Sequence, residues 1–306
     1  MTTHIPVLYH EVLHLLQPQA GEDFIDGTVG AGGHLTGILE ATAPDGRALG
    51  FDKDPQAITY AAAKLDKFGK RVTVVNKSYA EMPNLAPQLG FAQVNGILLD
   101  LGLSSRQLDD GSRGFSFRFE APLDMRYNQT KGETAADLVN NLSEAELADI
   151  FWRYGEEKQS RKIARLIVEN RPITTTTQLA HLIEAHAGKR NRRLHPATLV
   201  FQALRIAVNH ELNAVETGIP AAIKLLKPGG RIAVISFHSL EDRFVKRLFR
   251  QLSQDCICPP QQPICTCNNK AIVKRITRKA VKATAAEIKS NPRSRSARLR
   301  VIEKLP

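Results

Sequence analysis

Two rhythms alternate along the first hundred residues. Short apolar runs at Phe24-Ile25-Asp26, Arg47–Asp52, Arg71–Val75 and Val94–Leu99 are separated by stretches with helical spacing. The runs lack strict alternation of apolar and polar positions, so they read as strands buried on both faces. Between them, Gly33 to about Ala43 reads as a helix stopped by Pro44-Asp45-Gly46. Pro55–Phe68 reads as an alanine-rich helix with Asp54 placed to cap it. Ahead of the first strand, residues 4–16 read as a short extended start and then a helix. Glu81–Leu89 reads as a loop or short helix. Strands and helices in strict succession predict a parallel, doubly wound sheet.

From about Leu103 to Arg126 the chain turns glycine-rich, polar and irregular, too long for a simple connector. Thr134 to about His186 is then helical. Ser143-x-x-Glu146 is a capping box for a helix through Trp152, Gln159–Val168 carries Ile163 and Ile167 on one face, and Thr177 caps a helix ending near Gly188. No strands are predicted there, so a helical domain is expected inside the sheet domain. Afterwards His195–Leu226 reads as one or two helices ended by Lys227-Pro228-Gly229-Gly230. Arg231–Ser236 follows as a strand, Ser239–Phe249 as a capped helix, and Val273–Val281 and Ala297–Glu303 as two last strands.

Candidate chemistry gathers at the predicted strand ends. Phe24-Ile25-Asp26 runs into Gly27-Thr28-Val29-Gly30-Ala31-Gly32-Gly33-His34, a strand, a tight turn and a helix start. Glycine permits positive φ and close approach of a ligand to the backbone, and the free N–H groups of a new helix form a polar cradle. The third position of a dinucleotide fingerprint is Leu35 and not a glycine. That argues against a pyrophosphate cofactor and suits S-adenosylmethionine (SAM). Asp52, at the end of the second strand, can accept both hydroxyls of a ribose; its alternative, capping the next helix, falls better to Asp54. Tyr79 follows the third strand and can lie against adenine or simply pack. Ligands in open α/β sheets sit beyond the carboxyl ends of the strands, so Asp26, Asp52 and Asp100 are expected to converge. Seven strands with a glycine loop after the first describe a Rossmann-like SAM-dependent methyltransferase fold.

Charge and cysteine change the picture further. The net charge of +11 is uneven: Lys270–Pro306 holds twelve Lys and Arg against two Glu, and Lys189-Arg190-Asn191-Arg192-Arg193 is a second basic knot. Such patches suit a phosphate backbone, although each is also an ordinary solvated surface. Cys256-x-Cys258 and Cys265-x-Cys267 are the four cysteines. Paired thiolates can hold a structural zinc ion; free thiols in a loop are the alternative. No export signal is visible at Met1–Pro6 and no apolar run approaches about 18 residues, so a cytoplasmic protein with no membrane partner is expected.

The segment Leu98–Asp110, with Arg113–Phe117 and Pro122–Arg126, carries a close resemblance. With His4–Leu13, Ile25–Leu35, Phe51–Pro55, Gly155–Glu157, His195–Leu212, Lys227–Arg247 and Asn291–Val301, it resembles the bacterial 16S rRNA (cytosine-N4)-methyltransferase family called RsmH or MraW. The resemblance implies methyl transfer from SAM to the exocyclic amine of a cytosine in the decoding region of 16S rRNA. It implies SAM contacts at Gly32, Gly33, His34, Asp52, Tyr79, Asp100 and Gln107, and an inserted domain that helps bind RNA. This chain departs from the family at Tyr127 and at Leu199-Val200, where many members have Met and Arg-Thr. The expected fold is thus α/β, a Rossmann-like class I SAM-dependent methyltransferase sheet with an inserted all-helical domain. The division is 1–107 and 195–306 for the sheet and 108–194 for the insert, with 16S rRNA or the small ribosomal subunit as partner. Two rivals stand beside this reading: an RNA-binding ribosome-assembly factor, and a methyltransferase of another nucleic acid or protein.

The amine of cytosine is a weak nucleophile, because its lone pair is delocalised into the ring. An acceptor for its N–H is therefore expected. Asp100, Ser104, Ser105, Asp109, Asp124 and His238 are the candidates, each with holding the loop in shape as the alternative. The base must be unstacked to reach a pocket; Phe115, Phe117 or Phe237 could stack on it or be buried packing.

Overall fold

The computed structural model describes residues 6–186, 195–259, 261, 262 and 264–306. The basic knot at 189–193 and the expected helix end at Gly188 lie outside the described residues. In chain order, α1 (Tyr9–Leu16) precedes β1 (Phe24–Asp26), α2 (Gly33–Ala41), β2 (Ala48–Phe51), α3 (Pro55–Leu65), β3 (Val72–Val75), α4 (Met82–Gln88) and β4 (Val94–Asp100). The chain then makes α5 (Ser105–Asp109), α6 (Ala135–Asn141), α7 (Glu144–Gly155), α8 (Ser160–Glu169), α9 (Thr176–His186) and α10 (Thr198–Asn209). It ends with α11 (Glu211–Leu225), β5 (Leu226–Ser236), α12 (Ser239–Leu252), β6 (Val273–Arg275), α13 (Ala285–Ser290) and β7 (Arg298–Lys304).

Two units result. The first comprises residues 1–102 and 213–306, the second Leu103–Leu212. The first unit is the doubly wound sheet, in the order β3-β2-β1-β4-β5-β7-β6. β1 to β5 pair in parallel, and β7 inserts antiparallel between β5 and β6. Helices cover both faces because the strands are apolar on both. Ile25, Leu49, Ile97 and Leu99 bury against α4, α11 and α12, while Phe24, Leu98, Ala233 and Ile235 bury with α1, α2 and α3. Gly96 of β4 lies where any side chain would strike Phe24: a Cβ there would sit 2.1 Å from its ring. A glycine there is what lets the Phe24 ring lie over β4.

The second unit is helical and, among its described residues, carries no strand beyond an isolated bridge between Pro122 and Thr175. Its core joins Phe151, Ile163, Ile167, Leu179 and Leu204. α7 and α10 approach closely at Gly155, whose Cβ would stand 2.6 Å from the Leu199 carbonyl oxygen.

Several expectations shift. The boundary expected at residue 194 put Thr198–Asn209 with the sheet. The structure puts it in the helical unit, because Val200, Phe201, Ala203 and Leu204 fill that unit's core. The other boundary falls at Leu103 rather than 108. β5 starts at Leu226, not Arg231: Leu226 pairs with Val94, and the register then slips across Lys227–Gly230 to resume at Arg231 opposite Gly96. The expected strand Val273–Val281 stops at Arg275, with Val281 bridging Leu299 alone. The helix assigned a Thr177 cap begins at Thr176, and the Thr175 hydroxyl accepts the Gln178 N–H at 3.2 Å. A run of four threonines offers the same cap in several registers, and the tertiary position of Thr176 decides.

Gly96→Ala should lower stability by about 1–3 kcal/mol through overpacking against Phe24, read as a lower urea midpoint. An unchanged midpoint would show that Phe24 can move aside.

Candidate functional site

The carboxyl ends of β1, β2 and β4 are neighbours because the sheet order puts β1 between the other two. Each ends on an acid. Asp26 closes β1, Asp52 follows β2 directly, and Asp100 closes β4. The loop from Gly27 to Gly33 crosses in front of them. The Gly27 N–H continues the sheet by donating to Leu98 O at 2.9 Å. Gly27 has no room for more, since a Cβ would sit 2.3 Å from Leu99 and 2.9 Å from Tyr79. Gly30 and Gly32 adopt φ of 51° and 77°, which β-carbons resist. Gly32 then caps α2 with no side chain of its own, leaving the first N–H groups of that helix facing the loop. Leu35, at the third fingerprint position, is fully buried in the core instead of leaving a gap for a close helix crossing.

Hydrogen bonds knit the loop to the acids. The Gly30 N–H donates to one Asp52 oxygen at 3.0 Å and the Asp54 N–H to the other at 2.9 Å. The Thr28 N–H donates to Asp26 at 3.0 Å, and the Thr28 hydroxyl accepts the Asp100 N–H at 2.6 Å. Thr28 therefore ties the β1 turn to the end of β4, a role that nothing in its sequence position announces. Asp54 caps α3 by accepting the Gln56 N–H at 2.9 Å, as expected.

Electrostatics confirm that these groups face one another. Asp26 is 1% exposed. Burial pushes its carboxyl up to about 7; His34 and the Thr28 N–H oppose the rise, and the charges of Asp100 and Asp52 add to it. Burial also pushes Asp52 up to about 6, against the N–H groups of Asp54 and Gly30. His34, 5% exposed, points Nε2 at Asp100 Oδ2 from 3.6 Å and stacks on Tyr9 with ring centroids 6.0 Å apart. Among the described residues, neither ring nitrogen of His34 nor Asp100 Oδ1 has a hydrogen-bond partner although all three are buried. Buried polar atoms are rarely left so, and their clustering at the strand ends is what a polar ligand would satisfy. Tyr79 begins the turn after β3 and packs its ring beside Gly218 of α11.

Gln107 and four of the proposed acceptors belong to the helical unit. Gln107 is buried, and its side-chain oxygen accepts the Ser104 N–H at 2.9 Å while Ser104 caps α5. Ser105 opens α5, and Asp109 ends it, exposed. Asp124 is held by Arg126 in a two-pronged pair, both contacts 2.8 Å, and accepts the Arg126 N–H as well. Burial alone would raise it, but these Arg126 contacts hold its carboxyl below the usual range. An acid so supplied with donors is a weak proton acceptor and a strong brace for the turn at Gly114 and Met125. Phe115 and Phe117 are packing residues of the helical core, Phe117 lying 4.5 Å from His195 and 5.0 Å from Phe201. In the sheet unit, His238 caps α12: its Nδ1 accepts the Glu241 N–H at 3.5 Å, and its Nε2 lies 3.1 Å from the Glu241 carboxylate. Phe237 stands beside Gly102.

The four cysteines lie together between α12 and β6, and Cys267 is lowered to about 6 by the N–H groups of Ile257 and Asn269. Much of the basic tail is exposed, including Lys274, Arg278, Lys282 and Arg295. Arg300 is not: it is buried and paired with Asp242 at 2.7 Å, so part of that charge builds the fold.

A seven-stranded sheet of this order, with a glycine turn after β1 and acids closing β1, β2 and β4, defines the class I SAM-dependent methyltransferases. The sequence profile of the MraW methylase family matches residues 1–305. A relative from Syntrophotalea carbinolica, named ribosomal RNA small subunit methyltransferase H, is 54% identical over 99% of this chain and 98% of its own. Relatives of the same name from Thermomicrobium roseum and Geotalea uraniireducens are 50% and 51% identical, each over 99% of this chain and over 94% and 98% of their own. The chain belongs to the MraW methylase family.

The raised Asp26 has a consequence for stability. Its folded state holds the proton more tightly than the unfolded chain, so its stabilising contribution is complete below about pH 4 and is lost as pH rises to about 7. Asp26→Asn should therefore match the parent near pH 4 and become progressively more stable than it up to about pH 7, in urea unfolding followed across pH. A constant difference between the two proteins would contradict the buried, raised carboxyl.

Proposed function

We propose that the protein transfers a methyl group from SAM to the exocyclic N4 amine of a cytosine in the decoding region of 16S rRNA. The observation that carries this is the meeting of Asp26, Asp52, Asp100 and His34 around the glycine loop, in a chain matched end to end by its family. The relatives' name supplies the small-subunit RNA, and the family resemblance supplies the N4 atom.

SAM supplies an electrophilic methyl group on a sulfonium, and it is cationic at both the sulfonium and the ammonium. That charge suits a cluster in which the charges of Asp52 and Asp100 help to raise Asp26. Asp52 has lone pairs beyond those used by Gly30 and Asp54, enough to accept two ribose hydroxyls. Asp100 Oδ1 is an acceptor without a partner, fitted to the ammonium or to its hydration. Gly32, Gly33 and His34 present the start of α2 to the methionine part, and Tyr79 stands after β3 for the adenine. A SAM contact at Gln107 rests on the family resemblance alone.

For the base, the chain's task is to hold the amine in line and to take up its proton. Asp124 is neutralised by Arg126 while Ser104 and His238 already cap helices, which leaves Asp100, Ser105 and Asp109 as the candidate acceptors. The helical unit and the exposed tail cations hold the phosphate backbone. A small-subunit substrate puts the protein in the cytoplasm, and among the described residues no helix is long and apolar enough to cross a membrane.

Small subunits from a strain lacking this gene, incubated with the protein and methyl-labelled SAM, should gain label at N4 of a decoding-region cytosine, located by nuclease digestion and mass spectrometry. Label confined to another RNA or to protein would overturn the assignment. Asp52→Ala should weaken SAM binding about 10- to 100-fold with the thermal transition retained, and an unaltered affinity would remove Asp52 from the site.

A further inference from the structure

The segment between α12 and β6 takes no part in the site described above, yet it is pinned at its base. At its base, the Ile272 N–H donates to Leu252 O at 3.0 Å, and the Ala271 N–H to the Asp255 carboxylate at 3.2 Å. Above the base, the described residues form no apolar core to hold its shape, since Ile257 and Ile264 are 53% and 73% exposed. Sulfur converges there instead. The Sγ atoms of Cys265 and Cys267 are 3.6 Å apart, those of Cys267 and Cys256 3.8 Å, and all four lie within 4.8 Å of one another.

These distances discriminate between readings. A disulfide needs its sulfurs about 2.05 Å apart, and all four cysteines are free. A tetrahedral zinc ion with Zn–S bonds of about 2.3 Å sets its sulfurs about 3.8 Å apart. Backbone donors also point at sulfur: the Ile257 N–H reaches Cys267 Sγ and the Cys258 N–H reaches Cys256 Sγ, both at 3.4 Å. Such bonds stabilise thiolates, the form a metal requires. An all-sulfur set selects a borderline-soft cation over magnesium or calcium.

We propose that Cys256, Cys258, Cys265 and Cys267 bind one zinc ion in a closed, structural site. Four protein ligands leave no open position, so the ion clasps the segment and does no chemistry. The one-residue spacing within each pair puts each pair on a tight turn, and the fold supplies what spacing alone does not, the meeting of the two pairs.

The test uses the full-length protein purified under reducing conditions from zinc-supplemented medium. Plasma mass spectrometry should find about one zinc per chain. Replacement by Co2+ should give an intense sulfur-to-cobalt charge-transfer band with the visible bands of tetrahedral cobalt. A thiol reagent should react at least about tenfold faster after chelation. Cys258→Ser with Cys265→Ser should abolish metal retention; if that variant fails to fold, the cobalt spectrum and thiol protection of the parent still decide. SAM affinity should stay the same with and without the metal, which separates this inference from the methyl-transfer reading. Absence of retained zinc and of a cobalt–sulfur band, with four thiols reacting freely in the presence of metal, would overturn it. Recovery of Cys–Cys disulfides in place of metal would overturn it as well.

Discussion

Three carboxyl groups at the ends of three adjacent parallel strands are the constraint on which the sheet unit is built. Alone, such a group is costly: burial and mutual repulsion lift Asp26 to about 7 and burial lifts Asp52 to about 6. The surrounding structure holds the arrangement in place nevertheless. Thr28 fastens the β1 turn to the end of β4, Gly30 and Asp54 hold the Asp52 carboxylate, and Gly96 lets the Phe24 ring lie over β4. Structure that keeps an unfavourable charge pattern is usually structure kept for a ligand. In the proposed function, a cationic sulfonium nucleoside is the ligand that relieves it.

The helical unit solves a different problem. Its first thirty-odd residues carry little regular structure, so local caps must do what a sheet does elsewhere. Ser104 with Gln107, Thr134 with Asp137 and Ser143 with Glu146 each close a capping box, and Arg126 clamps Asp124 across a turn. Several side chains that sequence reasoning offers to catalysis are spent in this way. A hydroxyl or carboxylate fully engaged in holding backbone is poorly placed to accept a proton as well.

Much of the sheet unit was legible because its signals are local. An apolar run ending in Asp marks a strand end, and clustered glycines mark the turn that follows. What was not legible depends on tertiary choice. The periodicity of α10 shows that it has an apolar face but not which core receives it, so its place with the helical unit was missed. Lys227-Pro228-Gly229-Gly230 reads as a break, whereas the sheet absorbs it as a slip in register within β5. His238 reads as a candidate proton acceptor after a strand or as a residue that holds the loop, and its environment makes it a helix cap. Tyr9 stacks on His34 and Thr28 braces Asp100, roles that their places in the sequence do not announce.

The central claim is that one ligand site is built from the carboxyl ends of β1, β2 and β4. The most direct measurement is a crystal structure of the protein with S-adenosylhomocysteine, which keeps the ribose, adenine and amino acid parts. The account predicts the ribose hydroxyls on Asp52, the glycine loop against the amino acid part, and Asp100 Oδ1 in a hydrogen bond it now lacks. A ligand bound elsewhere, with Asp52 and Asp100 untouched, would contradict it.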